Sequence, residues 1–256
     1  MKISLIQQNI VWENRSANLE NLEREISKIP PGTNIVALPE MFTTGFSMNP
    51  EILSEGPESI TYEWMQKASA EGGFAVCGSY IVKEDGFYYN RWVFVGPEGE
   101  SWSYDKRHLF GPGGEDKAYR KGNGRIVFSF RGVGICPFIC YDLRFPVWMR
   151  NRNEYDLLII SANWPESRSE VWKTLLKARA IENQCYVAGI NRVGKDGRDI
   201  RYKGDSMIID PFGEIIVHAE ENEDCIVSAD ISIQDLLRFR ENFPVARDSD
   251  NFTISL

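Results

Sequence analysis

The chain has 256 residues, of which 43% are hydrophobic and 26% are charged, and its formal net charge is −8. This composition is typical of a folded globular protein and contains no long polar tract that would indicate disorder. The acidic balance and the lack of a basic block argue against a dedicated nucleic-acid-binding protein. Length alone allows either one large α/β domain or two small domains.

The N-terminal residues, the lack of a long apolar stretch and the cysteines predict a cytoplasmic protein without a disulfide framework. Residues 1–8 are too polar for a signal peptide, and no stretch approaches the roughly 18 consecutive apolar residues of a membrane-spanning helix. The odd number of cysteines and their apolar surroundings are typical of reduced thiols. With no C-x-x-C motif and two histidines remote from the cysteines, we expect no zinc or other metal site.

The N-terminal third predicts a strand, a helix and a second strand. Residues 2–8 alternate apolar and polar side chains, and a helix capped by Asn14 or Ser16 continues until residues 30–32, Pro-Pro-Gly. A short buried strand at 34–38 then ends at a proline that is followed at once by Glu40. This order is the beginning of a βαβ unit.

The middle of the chain predicts strand hairpins. After a loop at 41–57 and a helix at about 59–70, a strand at 74–82 turns at Asp85-Gly86 into a partner strand at 87–95. A further strand from residue 101 ends near Lys106, and the Gly-Pro-Gly-Gly run at 111–114 stops any regular element. Residues 125–130 and 133–139 predict another hairpin, and residues 147–150 a short helix.

The C-terminal part predicts alternating strands and helices. A buried strand at 156–161 precedes a strong helix at 169–183 and a strand at 185–191, and Ser232 caps a last helix. Three further strands are predicted at 206–209, 214–219 and 225–229. Residues 247–256 have no periodic pattern and form either a tail or an arm that packs on a partner. With no linker and no repeat, we predict a single α/β domain over 1–256 with two packed sheets and helices outside.

Three polar side chains follow predicted strands directly: Glu40, Lys106 and Cys140. Each also has an ordinary structural interpretation, as a surface carboxylate, a solvated hairpin end and a small buried thiol. Together they make coherent chemistry, because a thiol nucleophile needs a base and Glu40 can supply one where histidine is scarce. Lys106 and the backbone N–H of Tyr141 can stabilise an oxyanion, and a helix beginning after Cys140 would lower the pKa of its thiol.

The motifs around these residues resemble the nitrilase superfamily of carbon–nitrogen hydrolases, and in detail its bacterial omega-amidase branch. They are L-P-E-M-F at 38–42, Y-D-K-R-H-L-F at 104–110, C-Y-D-L-R-F-P at 140–146, A-N-W-P at 162–165, A-R-A-I-E-N-Q-C-Y-V-A-G at 178–189, N-R-V-G at 191–194 and G-D-S at 204–206. The resemblance implies a four-layer α-β-β-α sandwich of two mixed sheets with helices on the outer faces, and a homodimer.

The resemblance also implies roles for individual residues. Cys140 is the nucleophile, Glu40 the general base and acid, and Lys106 the oxyanion-stabilising cation, with Glu115 as a second glutamate beside them. Asp142 and Arg144 are interpreted as structural residues that stabilise the turn by capping and by ion pairing, and Cys136 as a core residue. The expected pocket residues are Phe42, Phe110, Asn163 and Trp164, and a distal carboxylate is expected at Arg107, Arg144 or Arg168, although each of these arginines suits a surface ion pair equally well.

The predicted activity is hydrolysis of the primary carboxamide of small ω-amido acids, such as 2-oxoglutaramate, through a cysteine thioester. The expected partners are the small-molecule amide and water, with no cofactor, no nucleic acid and no membrane. Two alternatives remain at this point. One is another carbon–nitrogen hydrolase, such as an N-carbamoyl amide hydrolase or a nitrilase, and the other is a catalytically silent binding protein.

Overall fold

The computed structural model describes residues 1–254, and two six-stranded sheets dominate it. The strands, in chain order, are β1 (Lys2–Gln7), β2 (Thr33–Ala37), β3 (Ala75–Glu84), β4 (Phe87–Val95), β5 (Ser101–Asp105), β6 (Phe128–Phe130), β7 (Val133–Ile139), β8 (Leu157–Ser161), β9 (Tyr186–Ile190), β10 (Val193–Lys195), β11 (Arg201–Lys203), β12 (Met207–Ile209), β13 (Ile215–His218) and β14 (Cys225–Asp230). The helices are α1 (Arg15–Ile26), α2 (Pro50–Leu53), α3 (Ile60–Gly72), α4 (Glu115–Ala118), α5 (Pro146–Met149), α6 (Ser169–Asn183) and α7 (Ile233–Asn242).

Both sheets are mixed. The first has the order β14-β1-β2-β3-β4-β5, with β1, β2 and β3 parallel, and the second has the order β13-β12-β9-β8-β7-β6, with β7, β8 and β9 parallel. The predicted hairpins are confirmed, since β3 pairs with β4 from Glu84 opposite Phe87 and β6 pairs with β7 from Phe130 opposite Val133. A separate two-stranded ribbon, β10 with β11, was not predicted.

Successive side chains of the first sheet point to opposite faces, and each face packs into its own apolar layer. In β1 and β2, Ile3, Leu5 and Ile35 pack into the core between the sheets, whereas Ile6 and Val36 pack against α1 and α3. On the other side, Trp172 and Leu176 of α6 cover the second sheet. The predicted four-layer sandwich with outer helices is therefore confirmed.

Side-chain caps fix the predicted helix starts. Asn14 accepts a hydrogen bond from Ala17 N, Ser59 from Tyr62 N and Ser232 from Asp235 N. No helix within residues 1–254 is long and apolar enough to cross a membrane.

The C-terminal tail packs on its own chain. A 3₁₀ turn at Val245–Asp248 leads into an irregular segment, in which Phe252 lies 5.1 Å from the guanidinium of Arg152 and Ile254 packs against the main core. The last two residues of the predicted tail, 255–256, lie outside the described residues. The tail thus has an intramolecular docking site, and its contact with a partner stays a prediction.

Candidate active site

Cys140 is the first residue after β7, and its backbone lies in the left-handed region with φ 44°. This conformation is costly for a residue with a Cβ atom and is typical of a nucleophile held at a sharp turn. As a residue, Cys140 is partly exposed, whereas Cys136 within β7 is completely buried in the core. A five-residue 3₁₀ turn, Cys140–Arg144, follows in place of the expected α-helix.

The carboxylate of Asp142 holds this turn in place through hydrogen bonds. Its Oδ2 accepts hydrogen bonds from Ile139 N at 3.1 Å and from the hydroxyl of Tyr104 at 2.9 Å. Its Oδ1 accepts the backbone N–H of His108 at 2.9 Å, and the ring Nδ1 of His108 lies 2.7 Å away. Asp142 therefore ties the turn of Cys140 to the segment that carries Lys106, in agreement with its predicted structural role.

Glu40, Lys106 and Glu115 form one buried cluster, although they follow or begin three different elements. The Lys106 ammonium donates to Glu40 Oε1 at 2.7 Å and to both carboxylate oxygens of Glu115 at 3.0 and 2.9 Å. Each of the three side chains is at most 1% exposed. The second glutamate thus lies where the resemblance implied, with a third hydrogen bond from Phe110 N at 2.6 Å.

Two asparagines complete the cluster. The side-chain amide of Asn90 in β4 donates to Glu40 Oε1 at 2.8 Å and to Glu115 Oε1 at 3.1 Å, and Asn163 N donates to Glu40 Oε2 at 2.9 Å. Asn163 was predicted and Asn90 was missed. Its signal in the sequence is its position two residues before Trp92, which places a polar side chain on the face of β4 that points between the sheets.

The surroundings of Cys140 raise the pKa of its thiol well above the ordinary value of 9.0. Burial is the largest cause and the negative charge of Glu40 adds to it, whereas Lys106 and a hydrogen bond to Asn163 act in the opposite direction. The expectation of a thiol pKa lowered by a helix N-terminus is therefore wrong. The short turn does not offset the loss of water, so the thiol needs a base to become nucleophilic.

The charges of the cluster stabilise one another unequally. Burial lowers the pKa of Lys106, but the carboxylates of Glu115 and Glu40 more than offset this and the pKa is raised overall. The pKa of Glu115 is raised by burial, and the ammonium of Lys106 counteracts only part of that effect. Lys106 is thus a permanent cation, shared by two carboxylates.

A cavity of about 420 Å³ opens above Cys140, and Lys106 and Asn163 reach its floor. Five of its lining residues are aromatic: Phe46, Phe110, Tyr141, Trp164 and Tyr202. The lining also contains one carboxylate, Asp196, which accepts hydrogen bonds from Arg198 N at 2.8 Å and from the Tyr202 hydroxyl at 2.9 Å. Such a concave site with apolar walls and a few convergent polar groups suits a small organic molecule. Of these residues, Phe110 and Trp164 were predicted as walls.

Comparisons with known proteins agree with this geometry. Residues 2–241 match the family model for carbon–nitrogen hydrolases. The chain belongs to this family. It is 43% identical to the omega-amidase YafV of Escherichia coli K12, over 99% of this chain and 98% of that protein, and 36% identical to the 2-oxoglutaramate amidase of Bacillus subtilis 168, over 96% of each.

One solved structure has nearly the same fold as this chain. XC1258 of Xanthomonas campestris, a CN-hydrolase superfamily protein, superimposes with a TM-score of 0.96 at 38% identity, and the match covers 100% of this chain and 99% of that one. Together with the amidase relatives, this similarity identifies the chain as a cysteine-dependent carbon–nitrogen hydrolase of the omega-amidase type.

Phe42 was predicted as a wall and Arg107 as one of three candidates for the distal carboxylate, and neither residue lines the hydrolase pocket. Phe42 is completely buried and packs with Trp64 and Tyr80, at ring distances of 6.2 and 6.3 Å, between the first sheet and α3. Phe46, four residues further on, lines the cavity instead. Arg107 does not line the cavity either, because its guanidinium lies over Trp148.

Three arginines surround the upper part of the hydrolase cavity: Arg144, Arg168 and Arg198. Arg144 lies over the Trp164 ring at 5.1 Å and Arg168 over the Phe110 ring at 5.5 Å. Within residues 1–254 none of the three forms an ion pair, so the predicted ion pair of Arg144 at the turn is wrong. Arg198 was missed because it lies in the irregular connection of the unpredicted ribbon of β10 and β11.

Proposed function

We propose that this hydrolase removes ammonia from the primary carboxamide of small ω-amido acids through a thioester on Cys140. The proposal rests on one arrangement: the strained, half-buried residue Cys140 lies beside a buried glutamate and ammonium at the floor of a cavity. The same cavity is lined by three arginines that have no ion-pair partner among residues 1–254. The reaction consumes an amide and water, and it releases a carboxylic acid and ammonia.

In the acylation step, Glu40 takes the proton of the Cys140 thiol while the sulfur attacks the carbonyl carbon. A carbon–sulfur bond forms and the carbonyl oxygen becomes an oxyanion, which the charge of Lys106 and the backbone N–H of Tyr141 stabilise. Because all hydrogen bonds from the Lys106 ammonium go to carboxylates in the free site, the oxyanion replaces one of the two contacts with Glu115. Glu40 then protonates the leaving nitrogen, the carbon–nitrogen bond breaks and ammonia departs.

In the deacylation step, a water molecule replaces ammonia and gives a proton to Glu40. The resulting hydroxide attacks the thioester carbon, and the second oxyanion is held in the same place as the first. The carbon–sulfur bond breaks, the acid leaves, and Glu40 returns its proton to the sulfur. The raised pKa of Cys140 favours this return, because the resting thiol is the more stable form.

The arginines support a substrate with a carboxylate at the end opposite the amide. A guanidinium binds a carboxylate through two parallel hydrogen bonds, and the aromatic rings beneath Arg144 and Arg168 restrict both side chains. The names of two relatives, an omega-amidase and a 2-oxoglutaramate amidase, agree with this class. We propose Arg168 and Arg144 as the main carboxylate ligands, with Arg198 at the rim.

The test is ammonia release from four compounds: 2-oxoglutaramate, glutamine, a carbamoyl amino acid and an aliphatic nitrile. We expect the highest kcat/KM with 2-oxoglutaramate. Activity confined to the nitrile or to the carbamoyl compound would replace the ω-amide assignment with one of the alternative hydrolases. Failure to release ammonia from all four would favour the catalytically silent alternative.

We further propose that the chain acts as a single catalytic domain, forms a homodimer and resides in the cytoplasm. The match of the family model over residues 2–241 supports one domain, and the five free cysteines agree with a reducing compartment. Sedimentation equilibrium of the purified chain tests the dimer, for which a concentration-independent monomer mass is the contrary result.

A further inference from the structure

Asn90 makes contacts that its role as a core residue of β4 does not require. It is completely buried, and its side-chain nitrogen donates to Glu40 and Glu115 together, at 2.8 and 3.1 Å. Its side-chain oxygen is buried and has no hydrogen-bond partner among residues 1–254, which is a cost that a protein interior rarely accepts. The orientation of the amide is nevertheless fixed, because exchanging its oxygen and nitrogen would place an oxygen against two carboxylates.

Among the four carboxylate oxygens of Glu40 and Glu115, one can still accept a further hydrogen bond within the described residues. Each carboxylate oxygen accepts up to two hydrogen bonds. Both oxygens of Glu115 are full, since Oε1 accepts from Lys106 and Asn90 and Oε2 accepts from Lys106 and Phe110 N. Oε1 of Glu40 is also full, through Lys106 and Asn90, whereas within residues 1–254 Oε2 accepts from a single N–H group, that of Asn163.

We propose that Asn90 is a positioning residue that leaves Oε2 of Glu40 as the one oxygen able to exchange protons with Cys140 and the substrate. This inference rests on the proposed function, in which Glu40 moves every proton. Without the Asn90 amide, Oε1 gains a free position beside Lys106, and the carboxylate is free to rotate or to hold its proton away from the sulfur. Asn90 thus acts on the reaction through Glu40, and it touches no reacting atom.

Only an asparagine-like side chain satisfies these requirements in this space. The site needs two N–H donors and no charge, because the cluster already contains two carboxylates for one ammonium. An aspartate has the same shape but would place a third carboxylate in a buried site, where unpaired charge is costly. A serine offers a single donor and can serve one glutamate only.

The experiment compares Asn90→Asp and Asn90→Ser with Asn151→Asp. Asn151 is a matched control, since it is 3% exposed and donates both amide protons to backbone carbonyls, of Tyr155 and Asn183, away from the cavity. Four quantities are measured for each full-length variant: kcat and KM for 2-oxoglutaramate, the pH profile of kcat/KM, and the rate of Cys140 alkylation by iodoacetamide. Alkylation also requires removal of the thiol proton, so it remains informative if no tested amide is a substrate.

The inference predicts that Asn90→Asp lowers kcat about 100-fold with KM within about threefold, as expected for misplacement of a proton-transfer group. Alkylation of Cys140 slows in parallel and the pH profile shifts, while Asn90→Ser, which needs no added charge to fold, shows a smaller loss of kcat. The control loses thermal stability but keeps kcat and alkylation. If Asn90→Asp keeps kcat and the pH profile, or if Asn90→Ser keeps kcat, the side chain only fills space and the inference is overturned.

Discussion

The charged side chains at the floor of the cavity are paired with one another, whereas within the described part of the chain the arginines at its mouth are not paired with carboxylates. At the floor, the ammonium of Lys106 is 1% exposed and each of its hydrogen bonds goes to a buried carboxylate. At the mouth, Arg144 and Arg168 rest on aromatic rings and have no carboxylate partner among residues 1–254. The floor is therefore paired before a substrate arrives, whereas the mouth has three arginines and one carboxylate, Asp196, and so an excess of positive charge that an anionic group would balance.

This difference predicts that the floor determines the rate of the chemical steps and that the mouth determines which substrates bind. Burying charges costs several kcal/mol per ion, so the cluster at the floor persists only because its members satisfy one another. Removing one member leaves the others unpaired, and large effects on kcat are expected. The mouth arginines are hydrated when empty, and their loss is expected to change KM for one class of substrate.

Replacement of the nucleophile gives the largest effect. Cys140→Ala is expected to lower kcat by about 10⁴-fold or more, because no other side chain at the floor can form the acyl intermediate. Ammonia release measures the loss. The control is Cys136→Ala on the same strand, where the buried thiol is expected to affect stability and leave kcat intact. Equal activity of the wild type and Cys140→Ala would exclude the covalent route.

Neutralising the second glutamate comes next. Glu115→Gln keeps the shape of the side chain but removes one of the two charges that hold Lys106, and we expect kcat to fall about 100-fold with little change in KM. Glu55→Gln is the matched control, because Glu55 is 9% exposed and pairs with Arg15 at 2.8 Å outside the cavity. A loss of thermal stability without a loss of kcat is expected there, and the same outcome for Glu115→Gln would remove Glu115 from the mechanism.

At the mouth, Arg168→Met is expected to raise KM for 2-oxoglutaramate about 10-fold, which is the loss of one charged hydrogen-bonded contact. Methionine keeps an apolar stem over Phe110. The comparison substrate is an uncharged aliphatic amide, whose KM should not change. Arg201→Met, on the neighbouring ribbon and outside the cavity lining, serves as the control. Equal increases for the charged and the uncharged amide would show that Arg168 shapes the pocket without binding a carboxylate.

The smallest effect is spectroscopic and concerns the resting thiol. Because the pKa of Cys140 is raised above 9.0, its protonated form persists at a pH where an ordinary thiol is half ionised. The ultraviolet absorbance of thiolate, taken as the wild type minus Cys140→Ala, should therefore show less than half ionisation at pH 9.0. A midpoint below that pH would indicate that Lys106 outweighs burial and Glu40.

The sequence predicted the floor better than the mouth for a physical reason. Glu40 and Cys140 each follow an apolar strand, whose end is visible as a change in residue type, and Lys106 follows the alternating strand β5 shortly before the Gly-Pro-Gly-Gly run. Asn90 lies inside a strand and is recognisable only from its register with Trp92. Phe46 and Arg198 lie in irregular segments, whose paths depend on contacts distant in the sequence, so no local pattern indicated their place beside the substrate.

The wrong predictions have the same origin. Phe42 is the next-but-one residue after Glu40, and proximity in sequence suggested proximity to the site. The chain turns sharply at Met41, which has φ 45°, and Phe42 points to the opposite side of the sheet, into the layer packed against α3. The pKa of Cys140 was misjudged because burial by distant residues outweighs the local backbone.

The most direct test of the account is the partition of a common acyl intermediate. The monoamide of glutaric acid and its monomethyl ester, which have no 2-oxo group for hydroxylamine to convert to an oxime, are hydrolysed in the presence of hydroxylamine, and the ratio of hydroxamate to acid is measured for each. If both substrates acylate Cys140, the same thioester is divided between water and hydroxylamine, and the two ratios are equal. Ratios that differ with the leaving group would contradict a shared thioester and, with it, the roles given to Cys140 and Glu40.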